Sequence, residues 1–389
     1  MALLLILLAA PLWAVDLIFL AEVTLGIAPL RQRAGRGASP RIAILTPAHN
    51  EASVVGPTVQ ALAAILPPGV RHLVVAHNCN DATAAEARAA GAEVAVLNQP
   101  DRRGKGYALA FGREQLAADP PEVVIVVDAD CTLDPGTVER LAHAAIARNR
   151  AVQGCYLFRS RPSDAPVVQI SNFAMLVKNL IRQRGGARLG ASAPLAGSGM
   201  AFPWAQFAAL DLATGNIVED LAIGIELVQA GFSPAFEERA RTWSTPSSAG
   251  GTETQRARWE GGFMATARTM AMPLVRQGLM RRSWPLFWIG LHVLVPPLTL
   301  LLMGNAAVLL LFGLLPLVGV SAVPFGIQAA LFGALTLSVL AAWVVAGRQV
   351  LPFRMLVRLP LYLLWKVALY TRLARRQQQA AWVRTERVD

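Results

Sequence analysis

An α/β domain with a mainly parallel sheet, joined to apolar transmembrane helices at both ends, is the architecture this sequence predicts. Three observations carry that expectation. Across residues 40–272, short apolar runs alternate with helical patterns, as strands linked by crossover helices do. Residues 283–347 contain no Lys, Arg, Asp or Glu, an uncharged run of 65 residues. The positive charge is also unevenly placed. Of the net +11 over 389 residues, residues 281–389 contribute +9, from 11 basic and 2 acidic side chains. A nucleic-acid reader would gather that charge on its folded domain. Here it flanks apolar stretches, as cytoplasmic Arg and Lys do in membrane proteins, so no nucleic-acid partner is expected. Three cysteines without CxxC spacing rule out a disulfide scaffold and argue against zinc. An apolar content of 54% excludes disorder.

Within the α/β domain, residues 41–46, 72–76, 93–97 and 123–127 read as buried strands. Residues 53–65, 82–90 and 106–117, rich in Ala and Leu, read as the intervening helices. Open α/β sheets bind ligands beyond the carboxyl ends of their strands. The residues found there are polar: Pro47-Ala48-His49-Asn50-Glu51, His77-Asn78-Cys79-Asn80-Asp81 and Asp128-Ala129-Asp130.

The membrane segments follow from charge and length. Residues 1–30 read as a retained N-terminal anchor: the basic n-region and A-x-A site of a signal peptide are missing. Asp16 in that segment is either functional or near one end of a tilted helix. A crossing takes about 20 apolar residues, so 284–347 is expected to hold two, with a turn near Ser321 and Pro324. Arg281 and Arg282 before this run, and Arg348, Arg354 and Arg358 after it, set both flanks in the cytoplasm. Arg31, Arg33 and Arg36 likewise put the domain at 40–272 in the cytoplasm, with the N-terminus outside. Residues 352–376, punctuated by Arg354, Arg358, Lys366 and Arg372, read as an amphipathic interfacial helix in contact with membrane lipids, and 377–389 as a cytoplasmic tail.

Four groups of residues carry chemistry. Asp128 and Asp130 alternate where a buried strand ends, where unpaired charge is costly; a divalent cation is their natural partner, the alternative being a cap on the following helix. Gly104-Lys105-Gly106 opens a helix; it either holds a phosphate group or is a solvated turn. Gln255, Arg258 and Trp259 share one helical face, suited to diphosphate and sugar contact or simply to an amphipathic helix. Glu219 and Asp220 begin a helix, where acidic residues also favour the dipole. No strand is followed by GxGxxG, and there is no Walker-A sequence.

In this order the motifs resemble the family 2 glycosyltransferases, in the branch of cellulose-synthase-like and related polysaccharide synthases. Asp128-Ala129-Asp130 matches DxD, Val218-Glu219-Asp220 matches TED with Val for Thr, and Gln255-Arg256-Ala257-Arg258-Trp259 matches QxxRW. The resemblance implies a GT-A nucleotide-sugar-binding fold and inverting transfer from a nucleotide-sugar, a UDP-sugar by preference. Asp130, assisted by Asp128, would hold Mg²⁺ or Mn²⁺ against the donor diphosphate. Asp220 would take the acceptor proton, with Glu219 the next candidate. Pro47, Asn50, Glu51, Asp81 and Lys105 fall in donor-binding positions. Arg258 would neutralise the leaving group. Gln255 and Trp259 would shape the acceptor end, which Ser198 and Gly199 would line. One position departs from the pattern. Where relatives carry a nucleobase-contacting aspartate this chain has His77, which would meet the base through a neutral imidazole or face solvent.

The expected activity is transfer to a polysaccharide or lipid-linked acceptor by a multi-pass enzyme of the cell (inner) membrane, in envelope or exopolysaccharide synthesis. Three helices would enclose a polymer channel only as a homo-oligomer; otherwise they suit transfer of one sugar to a membrane lipid. A catalytically silent scaffold would not retain these charged residues, and a nucleotidyltransferase would leave QxxRW and the membrane helices without a role.

Overall fold

The computed structural model describes residues 1–31, 40–245, 249–356, 358, 362 and 366. These form two compact units. One comprises the described residues of Leu30–Arg159 and Ser192–Gly262; the other those of Met1–Pro29, Ser160–Ala191 and the chain from Phe263 onward. The segment 160–191, expected within the domain at 40–272, therefore groups with the apolar helices.

The first unit is built on an eight-stranded sheet in the order β3-β2-β1-β4-β7-β6-β8-β5. Its strands are β1 (Ile42–Ala48), β2 (Arg71–His77), β3 (Glu93–Leu97), β4 (Val123–Val126), β5 (Cys131–Leu133), β6 (Val152–Phe158), β7 (Met200–Pro203) and β8 (Ala235–Ser244). The four strands expected from sequence are β1–β4, and they pair in parallel. β7 runs antiparallel to both β4 and β6, β6 is parallel to β8, and β5 is antiparallel to β8. The sheet is therefore mixed. Every residue of β1 and β4 is buried, the pattern of strands covered on both faces.

The coverings are helices at the expected places. α2 (Ala52–Ala63) and α3 (Thr83–Ala89) enclose Ala48, Val55, Val59, Val74 and Ala87. On the other core side, α4 (Lys105–Leu116) sets Leu109 and Leu116 among Leu45, Val75, Val124, Val126 and Phe202. At Gly112 a Cβ would overlap the Leu45 side chain, so this close helix–sheet approach requires glycine. α5 (Thr137–Arg148) follows β5, and α6 (Glu219–Gln229) adds Ile223 and Leu227 to the core. α7 (Ala249–Met280) begins in this unit.

In the second unit, three helices are long and apolar enough to cross a membrane: α1 (Ala2–Gly26), Leu298–Val318 and Val323–Gly347. A shorter apolar helix, Trp284–Leu294, precedes the pair. The buried face of α1 includes Ala9, Trp13, Asp16, Phe19, Glu22, Val23 and Gly26, spaced at three and four residues, so polar groups share its packing stripe. Glu22 accepts from Arg182 Nε at 2.6 Å and Trp288 Nε1 at 3.0 Å, and lies 2.7 Å from His292 Nδ1. Asp16 accepts from Asn305 Nδ2 at 2.8 Å, and Gln328 joins Asn305 to Trp13. Away from water such bonds fix the register of apolar helices that would otherwise slide. Gly185 packs so closely on the Glu22 backbone that a Cβ would overlap it. Of the amphipathic helix expected at 352–376, only residues 352–356, which include the turn Phe353–Leu356, and residues 358, 362 and 366 fall within the described residues. The expected tail 377–389 lies outside them.

Candidate active site

The carboxyl ends of β1 and β2 carry two asparagines with left-handed backbone, Asn50 (φ 57°) and Asn78 (φ 50°), a conformation asparagine tolerates better than most residues. They knit the edge together. Asn50 Oδ1 accepts the Asn80 backbone N–H at 2.9 Å. Asn78 Oδ1 accepts the Gln99 N–H at 2.6 Å, while its Nδ2 reaches the carbonyls of Gln99 and Arg102 at 3.0 and 3.1 Å. His49 Nδ1 lies 2.8 Å from the His77 carbonyl. These contacts frame an open cavity of about 460 Å³ lined by His49, Asn50, Asn78, Cys79, Asn80, Asn98, Pro100 and Arg103.

Several donor-binding candidates serve this edge from behind. Pro47 is buried within β1. The Glu51 N–H donates to Thr83 Oγ1, and Asp81 accepts the N–H groups of Ala52 and Thr83, so both acidic residues sit where α2 and α3 begin. His77 is fully buried, with Nε2 3.0 Å from Asn78 Nδ2. The alternative in which this imidazole simply faces solvent is corrected: it is buried behind the asparagine that faces the cavity, and burial lowers its pKa, favouring the neutral ring. Of the lining residues, sequence reasoning singled out neither Asn98 nor Pro100; their place just beyond β3, at the carboxyl end of a strand, was the available signal.

The acidic cluster lies beyond β4. Asp128 and Asp130 meet through a turn closed by Cys131 N–H to the Asp128 carbonyl at 3.0 Å, rather than by strand alternation. Their oxygens and Cys131 Sγ lie within 4.8 Å of one another. Burial pushes the Cys131 thiol up to about 12, so it stays protonated. Two carboxylates with a neutral thiol suit a hard, oxygen-seeking cation such as Mg²⁺ or Mn²⁺, and the residues present fit that group.

Lys105 ties this cluster to Glu219-Asp220. Its Nζ is 2.6 Å from Asp128 Oδ1, 2.6 Å from the Gly197 carbonyl and 3.5 Å from Glu219 Oε1. Burial opposes its charge, but Asp128 and Glu219 raise its pKa and keep it an ammonium. The neighbouring glycines answer to packing: a Cβ on Gly104 (φ +141°) would come within 3.0 Å of Gly215 Cα, and one on Gly106 would overlap the Leu212 carbonyl. Glu219 is itself buried, which raises its pKa against the pull of Lys105. Asp220, at the first turn of α6, is half-buried and accepts the Leu221 N–H at 2.8 Å.

Ser198 and Gly199 shape the cluster from the β7 side. Ser198 Oγ accepts the Asp128 N–H at 3.1 Å, and Gly199 N–H donates to the Val126 carbonyl at 2.9 Å. Gly199 has φ +67°, and a Cβ there would overlap Thr242 Oγ1. On α7, Gln255 is buried and Arg258 half-buried; burial lowers the Arg258 pKa while the Glu219 charge raises it. Trp259 meets Phe158 edge-on, ring centroids 6.0 Å apart. The Arg256 guanidinium stands 4.5 Å from the Phe158 ring and 5.0 Å from that of Trp259. Arg256, read from sequence as a spacer, thus holds the Trp259 ring by cation–π contact.

Comparison with protein families matches residues 40–262 to the family described as "Glycosyltransferase like family 2". Uncharacterized glycosyltransferases of Mycobacterium bovis and Mycobacterium tuberculosis are 34% identical over 122 residues, 30% of this chain and 51% of each relative. The chain thus spans about half the length of these curated relatives. A mannosyltransferase from Pyrobaculum calidifontis, solved in complex with GDP-Man and Mn²⁺, shares the fold with a TM-score of 0.56. That likeness has 17% identity and covers 88% of this chain and 96% of the mannosyltransferase.

Proposed function

The chain belongs to glycosyltransferase like family 2, and on that premise we propose a membrane-anchored inverting transferase acting in the cytoplasm. It moves a sugar from a nucleoside diphosphate sugar, UDP-linked in our reading, to a polysaccharide or lipid acceptor of the cell envelope. One observation carries the reading. Asp128, Asp130, Glu219 and Asp220, contributed by two separate motifs, are gathered about one buried ammonium, Lys105. The cavity at the ends of β1 and β2 supports a nucleoside. The exposed amides of Asn80 and Asn98 offer the donor and acceptor that uracil O4 and N3–H need.

Asp128 and Asp130 would hold Mg²⁺ or Mn²⁺, as the mannosyltransferase complex with GDP-Man and Mn²⁺ supports. When bound, the cation supplies Lewis-acid neutralisation of diphosphate charge. The remaining work falls to the protein. Asp220 accepts the proton of the acceptor hydroxyl as its oxygen attacks the anomeric carbon. The bond from that carbon to the diphosphate breaks, and its electron pair leaves on the diphosphate oxygen, where Arg258 stabilises the growing charge. Glu219, buried and facing Lys105, is less open to an acceptor than half-buried Asp220. Gln255 and Trp259 are assigned to the acceptor end.

Purified membranes supplied with a panel of UDP- and GDP-sugars, with products resolved by size, test the reading. Transfer from one donor class, lost in EDTA and in Asp130→Ala, is expected; full transfer in excess EDTA would overturn the metal assignment. A second reading, addition of a single sugar to a membrane lipid, is favoured by the small number of long apolar helices, three among the described residues. Products of one fixed size would select it.

A further inference from the structure

We propose that Lys105 guards the metal site, so that Mg²⁺ or Mn²⁺ binds strongly only together with the nucleotide diphosphate. This rests on the assignment of Asp128 and Asp130 to the cation and deepens it. The ammonium already has three oxygen partners: Asp128 Oδ1, the Gly197 carbonyl and Glu219 Oε1. A divalent cation on Asp128 would share a carboxylate with this positive charge at contact distance. Inside a site where the lysine side chain is only 13% exposed, that repulsion is weakly screened.

A diphosphate removes the conflict, because it brings negative oxygens that both cations can share. Lys105 is able to make the exchange. It stands at the first residue of α4 on a flexible four-carbon stem, and an ammonium is a point charge with no fixed fork to realign. Gly197 (φ +90°), whose carbonyl receives the lysine, lies beside Asp220 as well, so the same loop touches the ammonium and the proposed base. A site of this kind disfavours the cation alone and the nucleotide alone relative to the pair. By linkage, nucleotide must raise metal affinity by the same factor as metal raises nucleotide affinity.

The test is Mn²⁺ binding, read by the EPR signal of free Mn²⁺ on purified full-length protein in detergent, with and without UDP or GDP. In the wild type, the preferred nucleotide should raise Mn²⁺ affinity by about 10- to 100-fold, within the usual range of coupling between sites. Lys105→Met should raise nucleotide-free Mn²⁺ affinity about tenfold and shrink the enhancement. Lys105→Arg retains the charge and should keep nucleotide-free binding weak, which provides a second folded variant. Thermal unfolding of each protein confirms that it is folded. Unchanged or weaker nucleotide-free affinity in folded Lys105→Met, with Asp128-dependent metal–nucleotide binding preserved, overturns this inference alone. No Asp128-dependent Mn²⁺ binding in the wild type with either nucleotide overturns the metal assignment as well.

Discussion

Gly199→Ala isolates how tightly the β7 loop is bound to the catalytic cluster. Two separate costs follow from the structure. At φ +67° an alanine would sit in the left-handed region, costing roughly 1–2 kcal/mol. Its Cβ would overlap Thr242 Oγ1 and lie 3.1 Å from Thr242 Cβ, and such overpacking costs about 1–3 kcal/mol. The sum, roughly 2–5 kcal/mol, should lower the melting temperature of a unit this size by about 4–20 °C. Function should suffer in parallel, since the preceding Ser198 Oγ holds the Asp128 N–H and Gly197 holds Lys105. Thr242→Ala removes the overlapping hydroxyl but leaves the backbone cost, so the double variant should recover the overpacking share. Thermal unfolding in detergent, together with donor binding, reads both effects. A single variant costing under about 0.5 kcal/mol, or no recovery in the double variant, would refute the reasoning.

Asp220→Asn should cut sugar transfer by about 10²- to 10⁴-fold with little change in donor affinity; near-normal transfer would move the base to Glu219. His72 and His77 give a pH signature: burial lowers the pKa of both, that of His72 to about 4. The unfolded chain therefore takes up protons that the folded one refuses. Stability present above pH about 6.5 should fall as pH drops, by about 1.4 kcal/mol per pH unit from His72 until about 4, with His77 acting in the same direction. His72→Gln should flatten the melting profile between pH 7 and 4.5, and an unaltered slope would count against this origin. Glu22→Leu strands the buried Arg182 and should destabilise by roughly 3–5 kcal/mol. Adding Arg182→Leu should restore much of that loss in melting experiments; equal loss in both would mean the pair is not coupled. Tags after Gly37 and at Asp389 should be cytoplasmic and one at Met1 outside; an externally accessible C-terminal tag would require a further crossing.

The periodicity of single segments carried β1–β4, α2–α4 and the helix at Glu219, because apolar spacing and buried runs are local properties of the chain. The uncharged run at 283–347 was equally legible, since a bilayer constrains length and charge directly. The motif order located Asp128, Asp130, Glu219 and Asp220 before any geometry was known. Other features depended on residues distant in sequence. Lys105 reads as part of a phosphate turn until Gly197, 92 positions away, is seen to receive its ammonium. His77 reads as a nucleobase contact or a solvent-facing group until its burial beside Asn78, itself locked to the β3–α4 loop, excludes the solvent-facing reading. The antiparallel β7, the stacking of Arg256 on Trp259 and the grouping of 160–191 with the apolar helices had no local signal. Glu22 lies in a mainly apolar helix, and its partner His292 lies 270 positions further on. A sequence fixes what each segment prefers to bury; which buried charge meets which partner depends on tertiary packing, because the cost of burying a charge is offset only by the groups the fold brings beside it.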